Sequence, residues 1–241
     1  MNSEQRTGDA VPASGGPRRV LMCAVCCSLF AVLSGLSGCQ VLGFGGAMVE
    51  SYKKNSTHAV APEYKGLEGK RWAVVVSADR IIQADFPDIV PLMTAGIVNR
   101  LAAPEQQKTI GAAGYIPADR VVRFQYENPG WTTLPHGELA KRLKVDRLIV
   151  VELIEYRLNE PGNQYLWAGL ATGQVGVAES DGPAPDEFSF EKAIRVSFPD
   201  KEMMGPEDVP AAAVATTLVN RFVERAAWLF YTHQEPYYPK Y

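Results

Sequence analysis

Beyond position 39 this sequence has no cysteine: its four thiols, Cys23, Cys26, Cys27 and Cys39, all fall at or before that point. The body that follows has no disulfide, no cysteine-based metal site and no cysteine nucleophile. It must hold itself together by its core, which a chain of this length can do. Histidine is scarce as well. The three present, His58, His136 and His233, are far apart, and no two share a helix face at i, i+4, so zinc-protease spacing is missing. Each is expected to be a solvated surface histidine. No Gly-x-Ser-x-Gly elbow occurs in that body, which removes the nucleophile of an α/β-hydrolase. There is no basic run, and the net charge is −3. Binding to nucleic acid through phosphates is therefore excluded. No internal repeat is visible, and neither metal nor cofactor is expected.

What the sequence does have is one long apolar run. It spans residues 20–36, follows Arg18 and Arg19, and ends on small residues. A basic flank, a short apolar helix and small residues at a cleavage point make an export signal. The run closes on Leu36-Ser37-Gly38-Cys39, which resembles the bacterial lipoprotein box. That resemblance implies cleavage between Gly38 and Cys39, a diacylglycerol on the Cys39 thiol, and acylation (palmitate or similar) of the new amino end. Two or three acyl chains hold far more firmly than one, because each buried methylene adds about 0.8 kcal/mol. The alternative is an uncleaved transmembrane helix. The run is at the short end of the roughly 17–25 residues a span requires, and the Leu-Ser-Gly-Cys terminus favours cleavage. Residues 1–38 carry three arginines and two carboxylates, so the rest is one unit more negative than the whole chain.

The expected organisation is a signal peptide over 1–38, a lipidated flexible tether over 39–63, one α/β domain over 64–232 and a Tyr/Pro-rich tail over 233–241. The tether is glycine-rich at Gly43, Gly45 and Gly46 and then polar. No strand precedes these glycines and no Gly-Lys-Ser/Thr follows, so they read as a linker rather than a phosphate loop. Gln40 after the lipid cysteine resembles the outer-membrane sorting rule of enteric bacteria. That implies a place in the cell envelope, anchored to the outer membrane and facing the periplasm.

In the domain, Trp72-Ala73-Val74-Val75-Val76 reads as a strand buried on both faces. A helix starting near Asp85 or Asp88 follows, and Pro91 favours the later start because an interior proline loses a hydrogen bond. Residues 102–117 read as a loop with room for a short helix at 105–110. Residues 120–126 read as a second strand, and Pro135 opens a short helix. The stretch 148–158 is the most strand-like. Two further strands, one around 165–177 and one over 188–198, complete an antiparallel meander. Small residues crowd the middle strand, which suggests close approach of a helix or a bulge. From about 209 to 231 runs the clearest amphipathic helix, with Leu218, Val219, Phe222, Val223, Ala226, Leu229 and Phe230 on one face. Trp228 is expected to pack against the body. The fold class is therefore α/β: a mixed sheet of about five strands in the order β-α-β-α-β-β-β-α.

This order resembles a group of envelope proteins, as do the step from Ala140-Lys141-Arg142-Leu143 through Val145-Asp146 into Leu148-Ile149-Val150-Val151 and the closing helix. The group comprises the curli-secretion lipoproteins, the lipoprotein activators of penicillin-binding proteins and the TolB amino-terminal domain. The lead-in Tyr64-Lys65-Gly66-Leu67-Glu68-Gly69-Lys70 and Trp228-Leu229-Phe230-Tyr231 resemble lipoproteins of planctomycete-type bacteria. The resemblance implies a small α/β sandwich over residues 71–231, with no activity attached. No match to the membrane-inserting hairpins of the curli pore is present.

For chemistry, the carboxylates Asp79 and Asp85 flank the loop at the carboxyl end of the first strand, where open α/β sheets place ligands. Their alternative roles are caps of a turn and a helix. Glu152 and Glu155 fall on opposite faces of one strand. Glu152, if buried, requires a partner such as Arg195 or Arg225, giving a structural ion pair. The expected function is a non-catalytic, lipid-anchored protein that binds another envelope component, a protein or a glycan. The sheet edges and the tail are its expected contact surfaces. The alternatives are an envelope hydrolase using Asp79 and Asp85, and a homo-oligomeric subunit of an export complex.

Overall fold

The computed structural model describes residues 56–201 and 203–237. The expected signal segment, Cys39 and the expected tether through residue 55 lie outside the described residues, as do residues 238–241.

The apolar run after Arg71 forms strand β2 (Arg71–Ala78), with Trp72 through Val76 fully buried. Strand β4 (Arg147–Arg157) lies beside it in parallel, Trp72 opposite Arg147 and Ala78 opposite Leu153. Strands β5 (Gly169–Glu179) and β6 (Phe188–Phe198) continue antiparallel from β4 as the expected meander. Two residues, Gly114–Tyr115, form the short strand β3 on the far edge, so the five-stranded mixed sheet runs β3-β2-β4-β5-β6.

The crossover from β2 to its parallel neighbour β4 is helical. It comprises α1 (Arg80–Asp85), α2 (Ile89–Leu101), α3 (Pro104–Ile110), α4 (Ala118–Glu127), a 3-10 turn at Trp131–Thr133 and α5 (His136–Leu143). Helix α2 starts after Asp88, which sets Pro91 in its first turn, where a missing N–H costs nothing. The long helix α6 (Ala211–Trp228) follows the meander.

Helices α2 and α6 cover one face of the sheet. Met93, Ile97 and Leu101 meet Leu218, Phe222 and Val223 over Val74, Val76, Ile149, Val151 and Val175 in the larger apolar cluster. The close approach expected from the small residues of the middle strand is real. A Cβ on Gly173 would come within 2.8 Å of the Phe222 ring and 2.6 Å of the Glu152 carbonyl oxygen. The register also slips between Leu153 and Glu155. The other face is half-covered: α4 and α5 bring Val121, Leu139, Ala140 and Leu143 onto Ala73, Val75 and Leu148. Beyond them no helix among the described residues covers the face, and Ile154 is 58% exposed.

Three readings change. Residues 120–126 are not a strand but most of helix α4. Their alternation of polar with β-branched or aromatic residues fits both periods, but Val121 and Gln125, four apart, are the two that bury. The fifth strand is instead β3. The second change concerns Thr57–Val60, assigned above to the tether. It forms strand β1, antiparallel to β7 (His233–Pro236) from the tail, so each supplies the ladder partners the other lacks. Third, Glu152 is exposed rather than buried and makes no ion pair among the described residues. It sits opposite Gln174, whereas Arg195 lies opposite Thr172, and Arg225 pairs with Glu235.

Candidate functional site

Where β2 ends, beside the middle of β4, which runs on paired with β5, two adjoining clefts open. Strand β2 delivers Ser77, Ala78 and Asp79 to this point, and β4 delivers Val150, Glu152 and Ile154. The first cleft, about 550 Å³, lies between these strands and α5. Its walls include Trp131, Leu134, Leu139 and Phe188, and its polar groups come from Asp79, Thr132, His136 and Glu152. The second, about 830 Å³, opens along the edge of β2 between α2 and α4, and Trp131 and Thr132 line both.

The position of each polar group has a local cause. Asp79 caps α1, its Oδ1 accepting from the Ile81 amide at 2.7 Å, so one carboxylate oxygen is committed to the backbone. His136 opens α5. Its Nδ1 lies 2.9 Å from the Asp186 carbonyl oxygen, which accepts only, so Nδ1 carries a proton and donates it there. The imidazole stacks on Phe188, with centroids 4.4 Å apart. Asp186 also accepts from the Gly137 amide at 3.0 Å, tying the β5–β6 turn to the start of α5.

Along the second cleft, strand β3 is too short to pair the far half of β2. Two glutamines take its place: Gln125 Nε2 donates to the Val76 carbonyl at 3.0 Å, and Gln83 Nε2 to the Ala78 carbonyl at 2.6 Å. They satisfy carbonyls that an edge strand leaves open. The Gln125 Oε1 is buried without a hydrogen-bond partner among the described residues.

The structure separates the two carboxylates singled out from the sequence. Asp79 precedes α1 and lines the first cleft. Asp85 ends the same helix and lines a third groove between α2 and α6, with Leu92, Gly96 and Val219. The histidines are dispersed too. His58 lies on Tyr237 at 4.6 Å, and His233 stacks on Trp228 at 4.3 Å and 8°. Trp228 is thus a packed residue, with the Arg225 guanidinium 5.7 Å from its ring centre. Among the described residues no group of three His, Cys, Asp or Glu side chains is placed to hold a metal. The residues that sequence reasoning missed are Trp131, Thr132 and Phe188. Trp131 and Thr132 come from the 3-10 turn and Phe188 from the start of β6, and no spacing in the chain marks the turn and the strand as neighbours.

No protein-family model matches the sequence, and no curated protein matches it. Solved structures similar in part include a PelC dodecamer from Paraburkholderia phytofirmans. It has 10% identity and TM-score 0.42, and the match covers 73% of this chain and 98% of that one. The lipoprotein GNA1162 from Neisseria meningitidis matches at 14% identity and TM-score 0.38, over 65% of this chain and 97% of that one. A DUF330 protein from Xanthomonas campestris matches at 11% and 0.41, over 71% and 87%.

Proposed function

We propose that this chain is a lipid-anchored protein of the bacterial cell envelope whose folded body binds another envelope component and catalyses no reaction. The observation that carries this reading is Leu36-Ser37-Gly38-Cys39 at the end of an apolar run. Acylation at Cys39 holds the chain to a bilayer, and a glycine-rich tether runs from there to strand β1. Gln40 after the anchor favours the outer membrane and a periplasm-facing body.

The site geometry supports binding over catalysis. Asp79 and Asp85 line different clefts, so they are not an acid–base pair. The rim of the first cleft presents oxygen acceptors above an apolar floor, which suits recognition.

The test is a photoreactive residue in place of Thr132, crosslinked in whole cells and recovered from the detergent-solubilised envelope. The expected result is a discrete adduct that diminishes when Cys39→Ala releases the body from the membrane. No adduct above the background of an exposed control site such as Tyr126 contradicts the reading.

A further inference from the structure

We infer that the first cleft binds an uncharged saccharide chain; this rests on the envelope-binding reading and names its ligand. A sugar ring has a face of C–H bonds and a rim of hydroxyls, so its site requires an aromatic or apolar floor with oxygen acceptors around it. The cleft has both. Trp131, Leu139 and Phe188 supply the floor, and the His136 ring lies on Phe188. Asp79, Glu152 and Thr132 supply rim oxygens.

The acceptors are available. The Glu152 carboxylate makes no hydrogen bond or ion pair among the described residues, and the cap at Ile81 uses one Asp79 oxygen. The contact between His136 Nδ1 and the Asp186 carbonyl leaves Nε2 free to meet a hydroxyl, which both donates and accepts. Hydroxyls match all three groups.

Rival ligands fit less well. No lysine or arginine lines the cleft, so a phosphate or carboxylate ligand would meet two carboxylates with no counter-charge. An extended peptide binds by adding a strand to a free edge. Here the strands that reach the cleft have their backbone paired from β2 to β4 and from β4 to β5. An apolar helix requires an apolar rim, and this rim is charged.

The test uses the full chain in detergent micelles and three neutral tetrasaccharides: those of N-acetylglucosamine, glucose and mannose. Saturation-transfer NMR and calorimetry read the binding. At least one probe is expected to bind, with Trp131→Ala and Glu152→Gln each weakening it at least tenfold. Asp85→Asn, in the other groove, should leave it unchanged. Glu152 is exposed on a strand, so its glutamine variant keeps the fold where Trp131→Ala fails to. Binding of none of the three, or equal binding by the Glu152→Gln variant, overturns the assignment. The Thr132 crosslink separates this inference from the wider reading. An adduct that is protein alone overturns the saccharide and leaves envelope binding standing, whereas a glycan adduct supports both.

Discussion

The phenol of Tyr64 donates a 2.8 Å hydrogen bond to Glu179, 115 positions further along the chain. Around this pair the domain closes on itself. The Tyr64 amide donates to the Leu229 carbonyl at 2.9 Å, and its ring meets Phe190 and Phe230. The Glu179 carboxylate reaches Arg147 at 3.4 Å, and Arg147 also pairs with Asp181 and donates to the Gly66 carbonyl at 2.9 Å. Lys70 reaches Asp181 at 2.5 Å. The lead-in segment, the first residue of β4 and the end of β5 thus share one polar cluster, with Arg147, 6% exposed, at its centre.

Removing Arg147 therefore takes the shared cation from Glu179 and Asp181 and a donor from the carbonyls of Gly66 and Asp146. Arg147→Met is expected to cost about 3 kcal/mol, in the range for breaking a largely buried pair. For a chain of this size that lowers the melting midpoint by roughly 6–12 °C. Thermal denaturation checks it, and a midpoint within a degree of wild type contradicts the role given to the cluster.

The same cluster sets the pH response. Hydrogen bonds from Lys70 and Arg147 hold Asp181 down, from 3.8 to about 2. Its contribution is present above the ordinary carboxylate pKa and is lost as pH falls from about 4 through about 2. Burial, then the bond to Glu179, pushes Tyr64 up to about 12, and burial pushes Tyr156 up to about 12. Their contribution is present below 10 and is lost as pH rises through about 12. Urea unfolding from pH 2 to pH 12 is expected to show both losses. Asp181→Asn should flatten the acid limb, and Tyr64→Phe should reduce the alkaline one.

Gly96 lies inside α2, where alanine is favoured over glycine by about 1 kcal/mol on helix propensity alone. A Cβ there would come within 2.9 Å of Val223 on α6. Overpacking costs about 1–3 kcal/mol, so Gly96→Ala should be destabilising by about 1 kcal/mol net. In a Val223→Ala background the same change should become neutral or stabilising. A double-mutant cycle by chemical denaturation reads the difference.

The structural and ligand roles of Asp79 separate by substitution. Asp79→Ala removes the α1 cap and should cost about 1 kcal/mol, whereas asparagine caps as well as aspartate. Asp79→Asn should keep stability and lower saccharide affinity. Unchanged affinity restricts Asp79 to the cap.

Strongly apolar elements were legible in the sequence, and those that depend on a distant partner were not. The apolar runs of β2 and β4 and the stripe of α6 announce themselves, because each buries against whatever lies opposite. Strand β1 is four residues that gain a ladder only from Gln234 and its neighbours, so nothing local marks it. Helix α4 was misread because Arg120-Val121-Val122-Arg123-Phe124 satisfies both periods. The helix is marked instead by Asp119 in its first turn and by the burial of Gln125. Of the candidate site, Asp79 was placed by its position at the end of the first strand. Its companions Trp131 and Phe188 meet only through the crossover and the meander.

The central claim is acylation at Cys39, and intact-mass spectrometry of the protein extracted from its native membrane tests it most directly. The account predicts a polypeptide that starts at Cys39 and carries the added mass of a diacylglyceryl group. A chain that starts elsewhere, or starts at Cys39 with no added mass, contradicts it.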